Sequence, residues 1–310
     1  MKKFICVILG MFCLCRAAAA EVNTYASADT ATKILALPAG ARPAGLGNAF
    51  TAASGDINAL YYNPAGLISL TGNRVLLAHN AWIEGISQEH LVYAQPVPGL
   101  GVAGLGVDYL NYGPIDRWGM DASGNPSPGE GVYTPYALAG TLGWGVSMGK
   151  GLSAGAALKW SYEQIDTSGS VAGAVDLSAI YQPNPDLTWG AVIHNLGLAA
   201  GDRLLPLSFN LGSAFNLPVS ISEKDLFTTY IDVAFKYDNA PTLGLGLEYT
   251  FLSWFQLRLG WNQNFGYTNP NLLGLTAGAG ATYWSWGLDY ALAPQGDFGL
   301  SHKVSVQYGF

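Results

Sequence analysis

Leu300-Ser301-His302-Lys303-Val304-Ser305-Val306-Gln307-Tyr308-Gly309-Phe310 alternates apolar and polar side chains almost without error. Leu300, Val304, Val306, Tyr308 and Phe310 share one parity, with His302 the exception, and Ser301, Lys303, Ser305, Gln307 and Gly309 share the other. A period of two marks an extended strand with one dry and one wet face. The pattern recurs upstream. Leu243, Leu245, Leu247, Tyr249 and Phe251 oppose Thr242, Gly244, Gly246, Glu248 and Thr250. Trp284, Trp286, Leu288, Tyr290 and Leu292 oppose Ser285, Gly287, Asp289 and Ala291. Leu205, Leu207, Phe209, Leu211, Phe215 and Leu217 form a third apolar face, and Phe255, Leu257, Leu259, Trp261 and Phe265 a fourth.

Carried along the chain, this reading predicts strands near 74–84, 88–97, 100–112, 132–148, 152–165, 170–181, 187–196, 204–217, 226–238, 242–251, 254–265, 273–283, 284–293 and 300–310. That is about fourteen, an even number as single-chain bacterial barrels require. The predicted fold class is all-β, a transmembrane antiparallel β-barrel. The connections agree with it. Short turns at 98–99, 149–151, 183–186, 252–253 and Trp284 share one end, and longer loops, led by Gly113–Gly131, share the other. Only the 218–225 turn breaks this parity. A soluble sandwich or solenoid would show no such parity. Aromatic residues at strand ends (Trp254, Phe265, Trp284, Trp286, Tyr308, Phe310) suit the two membrane interfaces.

Composition points the same way. Charged residues make up 11% and hydrophobic residues 50% of the sequence. Ordinary soluble domains carry about 25% charged residues. No stretch after residue 20 reaches the roughly 18 uninterrupted apolar residues of a membrane helix. Residues 1–20 read as a secretory signal peptide. Lys2 and Lys3 form its basic start, Phe4 to Leu14 its apolar core, and Ala18-Ala19-Ala20 a cleavage site. The three cysteines (Cys6, Cys13, Cys15) all lie within it, so a disulfide scaffold, a thiolate metal site and a cysteine nucleophile are excluded for the exported chain. Removal of Lys2, Lys3 and Arg16 leaves 11 cations against 21 carboxylates, a net charge of −10. Such a chain is a poor nucleic-acid binder.

Residues 21–70 look different. Ala28 to Leu37 is helix-compatible, Gly45 to Ser54 is rich in small residues, and Asn63-Pro64-Ala65-Gly66 is a turn. The segment is apolar yet too short to hold a core of its own. Its stretch Gly40-Ala41-Arg42-Pro43-Ala44-Gly45-Leu46-Gly47-Asn48-Ala49-Phe50 leads through Asp56 to Leu60-Tyr61-Tyr62-Asn63-Pro64-Ala65-Gly66-Leu67. This resembles the N-terminal region of the PorV/PorQ (UPF0164) family, grouped with the FadL-like outer-membrane barrels. The resemblance implies a fourteen-stranded barrel at 71–310 with residues 21–70 folded inside as a hatch. It implies a hatch motif of Arg42, Asn63, Pro64, Ala65 and Gly66. It also implies the outer membrane of a diderm bacterium, and either passage of small hydrophobic molecules or, as in PorV-type members, assistance to exported proteins.

Arg42 is the only cation between Lys33 and Arg74. It reads either as a hatch-to-wall ion pair that could gate or as a static pair or solvated arginine. Asn63 reads either as a turn cap or as part of the hatch. By parity the lumen would be lined by Asp108, Lys159, Glu163, Asp176, Asp232, Lys236, Glu248, Arg258, Asp289 and Lys303. These are satisfied wall pairs or a selectivity lining. Four histidines (His79, His90, His194, His302) fall on separate strands, with His79 and His90 able to meet across the first hairpin. No Gly-x-Ser-x-Gly elbow, metal-ligand spacing or phosphate-binding loop is present, so no cofactor and no enzyme activity is expected. A lipid hydrolase is the remote alternative. Expected partners are outer-membrane lipid, a hydrophobic small molecule or an exported protein, and the barrel-insertion machinery, which would read Tyr308 and Phe310 as a terminal signal.

Overall fold

The computed structural model describes residues 30–199, 204–219, 221–222, 225–265 and 274–310. The signal peptide and the 266–272 loop lie outside these residues, as do parts of the 197–203 loop and the 218–225 turn. The strands are β1 (Arg74–Ala81), β2 (Ser87–Val97), β3 (Gly101–Asn111), β4 (Ile115–Met120), β5 (Pro126–Tyr133), β6 (Tyr136–Gly149), β7 (Leu152–Ile165), β8 (Ser168–Asn184), β9 (Leu187–Ala199), β10 (Ser208–Leu217), β11 (Leu226–Lys236), β12 (Asn239–Phe251), β13 (Phe255–Asn264), β14 (Leu275–Tyr283), β15 (Trp286–Pro294) and β16 (Leu300–Gly309). Fourteen of them close an antiparallel barrel, in chain order apart from β4 and β5, which pair with each other outside it. β16 seals β1 from Arg74↔Gly309 to Ala81↔His302. Closure gives each wall strand two paired neighbours. In lipid an open edge would leave backbone groups unpaired at several kcal/mol each.

The two faces of the wall are inverted relative to a soluble sheet. On β3, Leu105, Val107 and Tyr109 are exposed while Gly104, Gly106 and Asp108 are buried. On β7, Leu158 and Trp160 are exposed while Lys159 and Ser161 are buried. A surface of leucine over a charged interior is stable only where the surrounding solvent is apolar. Aromatic residues ring both ends. Phe227, Tyr249, Phe251, Phe255, Trp254, Tyr283 and Trp284 contact one another in series. Trp286, Tyr308, Phe310 and Tyr93 continue that end, and Tyr109–Tyr136–Tyr162 and Phe209–Phe235 mark the other. Phe227 and Phe235 stand eight residues apart on β11. That is about 20 Å along the barrel axis for a strand tilted near 40°, close to the apolar band of an outer-membrane barrel.

The segment before β1 is irregular. It holds a 3₁₀ turn (Lys33–Ala36), a helical turn (Ala41–Gly45), a second (Ala59–Tyr62) and a 3₁₀ stretch (Pro64–Ser69). Each is too short to stand alone. Packing against the buried face of the strands supplies the stability. Ile57, Leu60 and Leu67 join Leu76, Val92 and Val102; Ile34 and Leu35 join Leu110, Ala137 and Leu205; Leu46 and Phe50 join Tyr230.

Four expectations are corrected. The 113–131 loop contains the β4–β5 hairpin. Gly and Pro hid its strand signal. Ala28–Leu37 is no helix: among its described residues only the 3₁₀ turn Lys33–Ala36 is helical, and Thr30 forms a parallel bridge to Leu204. Leu205 lies before β10 and is buried against Ile34 and Leu35, not on the outer face. Leu243 keeps its outward parity but is buried with Ile231 and Val233, because Trp261, Phe265 and Phe235 pack over them.

Candidate functional site

Two buried polar clusters tie the N-terminal segment to the wall. The first is centred on Glu248 of β12. Arg42 donates to Glu248 through Nη2 (2.6 Å) and Nε (2.9 Å), and through Nη1 to Asp56 (2.7 Å). Arg258 of β13 donates to Glu248 (2.6 Å) and to Asp289 of β15 (2.6 Å). Phe50 lies under the Arg42 guanidinium at 5.6 Å. Two arginines therefore bridge three carboxylates, and paired forks satisfy most of the buried oxygens.

The second cluster lies across β7, β8 and β9. Asp176 accepts from Lys159 (2.6 Å), and His194 Nδ1 lies 2.7 Å from it. Its other oxygen accepts from the Asn195 backbone N–H (2.8 Å). Asn195 has positive φ (59°), and the β8–β9 register shifts between Val175 and Leu177, so His194 and Asn195 both face Asp176. Such a bulge re-aims side chains. Lys159 sits 5.2 Å from the centre of the Tyr61 ring, and Tyr61 meets His90 edge-on at 5.5 Å. His90 in turn pairs with Asp108 at 2.8 Å.

The Asn63-Pro64-Ala65-Gly66 turn does two things at once. Asn63 Oδ1 accepts from the Ala65 N–H (3.2 Å), an Asx cap. Its Nδ2 donates to Thr51 (2.7 Å) and to the Ala179 carbonyl of β8 (3.2 Å). The Ala65 N–H also reaches Ser178 (3.1 Å). Glycines on both the wall and the segment permit the close approach. A Cβ on Gly155 would stand 2.2 Å from the Ala65 nitrogen, and one on Gly47 (φ +64°) 2.7 Å from the Trp261 backbone.

Of the residues expected to line the lumen, Asp108, Lys159, Asp176, Asp232, Glu248, Arg258, Asp289 and Lys303 are all buried. Asp232 accepts from the Phe50 and Thr51 N–H groups (2.8 and 2.7 Å), and Lys303 donates to the Pro38 carbonyl (2.8 Å). Glu163 is half-buried near a strand end, where Tyr112 donates to it at 2.8 Å, apart from both clusters. Lys236 is exposed at the end of β11. His79 and His90 do not meet. His79 opposes Glu89 and His90 opposes Ala78, so they face opposite sides of the wall. Asp56, Asn195 and the pairing of histidines with carboxylates escaped the sequence reading. Hairpin arithmetic carries the signal for the last: a turn centred on residue 99 places His90 opposite Asp108, as found.

Between the segment and β9–β13 lies a cavity of about 370 Å³. Tyr61 and Tyr62 form part of its wall. Burial pushes both hydroxyls up, so they stay protonated and donate to Ile34 and Ala39, each at 3.1 Å. Lys33 pairs with Asp238 beside the cavity. Burial raises the Asp238 carboxyl, but the Lys33 ammonium and the Thr30 hydroxyl outweigh it and hold it below the ordinary carboxylate range. Among the described residues the β9–β10 ladder stops at His194↔Ser208, next to this cavity, and β9 runs on to Ala199 paired with β8 alone.

The model of the family described as uncharacterised protein family UPF0164 matches residues 13–178. The barrel is similar in structure to the P. putida toluene transporter TodX (13% identity, 88% of this chain and 98% of that one, TM-score 0.62). It is similar to the Ralstonia pickettii toluene transporter TbuX (13%, 88% and 98%, 0.61) and to a Pseudomonas aeruginosa FadL homologue (12%, 86% and 98%, 0.54). At these identities the likeness is one of fold. No curated protein sequence matches the chain.

Proposed function

This chain belongs to the UPF0164 family, and we propose that it is an outer-membrane barrel that passes small hydrophobic molecules, with residues 21–70 as a hatch in its lumen. The observation that carries the reading is the cavity between the N-terminal segment and the wall, placed where the β9–β10 ladder stops. Among the described residues β9 runs beyond its ladder with β10, so a side exit there loses little backbone pairing when the wall widens. The likeness of fold to solved hydrocarbon transporters supports passage of a small, largely apolar cargo. Arg42 and Asn63 are the hatch fastenings in this reading, and the domain division is 1–20, 21–70 and 71–310.

The experiment uses the absence of cysteine after residue 15. A Cβ on Gly45 would lie 3.1 Å from the Gly278 Cα. Gly45→Cys with Gly278→Cys therefore places a thiol of the segment against one of the wall. In planar bilayers the oxidised barrel should hold a low conductance, and reduction should raise it. Equal conductance in both states sinks the hatch as a gate.

One observation favours a second reading, a barrel that holds an exported protein. The β4–β5 hairpin exposes Ile115, Trp118, Met120 and Val132. Co-purification of one exported protein, lost on Trp118→Ser with Met120→Ser, would move the assignment there.

A further inference from the structure

The cavity has the wrong lining for a bare hydrocarbon. Sites for apolar ligands are mostly apolar with a few placed polar groups. Here five carboxamides line the space: Asn48, Asn195, Asn210, Asn239 and Asn262. Several polar groups are also unspent. The Asn210 side chain makes no hydrogen bond among the described residues, and its Oδ1 is buried without a partner. Asp232 Oδ1 is in the same condition, in a residue that is 7% exposed. Ser208 stands between His194 and Lys236 in the cross-strand register, and its hydroxyl is unbonded among the described residues.

We infer that the cargo carries a neutral hydrogen-bonding group, a hydroxyl or carboxamide, on a compact apolar body. This rests on the passage reading above and narrows its cargo. Donors and acceptors are both on offer, because an amide side chain supplies one of each. A ligand hydroxyl or amide can bond Ser208, and a turn of the Asn210 side chain toward the cavity would spend its buried oxygen on the same ligand. A hydrocarbon would strip the cavity-facing amides of water and return nothing, a loss of about tenfold or more in affinity per group. The apolar body has Leu35, Leu37 and the Tyr61 and Tyr62 rings to meet. The volume falls in the range of small-molecule sites.

The charges argue for neutrality. Lys33 is matched by Asp238 and Lys159 by Asp176. The remaining two charges, Lys236 and Asp232, lie four residues apart on one face of β11, about 13 Å, and offset each other in formal charge without pairing. Formal charge over these six groups sums to zero, so no net field favours an anion or a cation.

The test compares molecules of similar size on the full-length barrel in detergent, by calorimetry and by uptake into liposomes: toluene, benzyl alcohol, benzamide and benzoate. Benzyl alcohol and benzamide should bind at least tenfold more tightly than toluene. Asn210→Leu should abolish that preference, and Ser208→Ala should weaken it. Folding of each variant is read from its unheated gel migration. Toluene binding as tightly as benzyl alcohol overturns the inference and leaves the passage reading standing. Benzoate binding most tightly overturns neutrality, and with it the inference. Absence of binding and uptake for all four overturns both.

Discussion

Glu248 on β12 holds Arg42 through both carboxylate oxygens, at 2.6 and 2.9 Å, and shares the second with Arg258 at 2.6 Å. One wall carboxylate thus serves an arginine of the N-terminal segment and an arginine of the wall. Arg42 also pairs with Asp56, whose other oxygen accepts from Asn58.

Arg42→Met should therefore destabilise the barrel by about 3–5 kcal/mol, the cost of leaving a buried charge without its partner. The readout is thermal unfolding in detergent. Arg42→Met combined with Asp56→Asn should recover part of the loss. If the double variant melts lower than the single one, the attribution to Asp56 fails.

Gly155→Ala tests the close approach of segment and wall. The new Cβ would lie 2.2 Å from the Ala65 nitrogen and 2.6 Å from the Pro64 carbon. Overpacking against backbone costs about 1–3 kcal/mol. Gly173→Ala is the control, since nothing stands within 4 Å of its Cβ position. Equal melting of the two variants would show that the segment yields freely.

The Lys33–Asp238 pair predicts a pH response at one end of the barrel. The Asp238 carboxyl is held below its usual range in the folded chain. Its contribution is complete above the unfolded value, near pH ~4. It is lost as pH falls through the lower folded value. Lys33 is half-exposed, so the effect is under about 1 kcal/mol. The protection factor of the Ala31 amide, whose N–H donates to Leu204 at 3.0 Å, should fall in acid. Asp238→Asn should show the low protection at every pH.

Phe310 stacks on Tyr308 at 5.8 Å and near Tyr93 at 6.4 Å, and its backbone exchanges two hydrogen bonds with Asn73. If it is also a terminal signal, its deletion should lower insertion in cells while refolding into detergent stays near normal. A modest, parallel fall in both would mark it as an interface anchor only.

The period-two pattern by itself determined the barrel, its fourteen wall strands and eight of the buried wall charges. Alternation on a strand needs no knowledge of neighbours: Lys159 is inward because Leu158 and Trp160 are outward. The Asn63-Pro64 turn was legible for the same reason, since its cap closes within three residues. Tertiary structure alone decided the partners. Arg42 and Glu248 are 206 residues apart, and Lys159 meets Asp176 only because β7 and β8 are adjacent in register. The bulge at Asn195 set both the His194 ring and the Asn195 backbone N–H against Asp176, and a one-residue shift leaves no periodic trace. The polar cavity is likewise a property of the closed ring. Its five asparagines come from the N-terminal segment and four wall strands, and only curvature of the sheet brings them to one space.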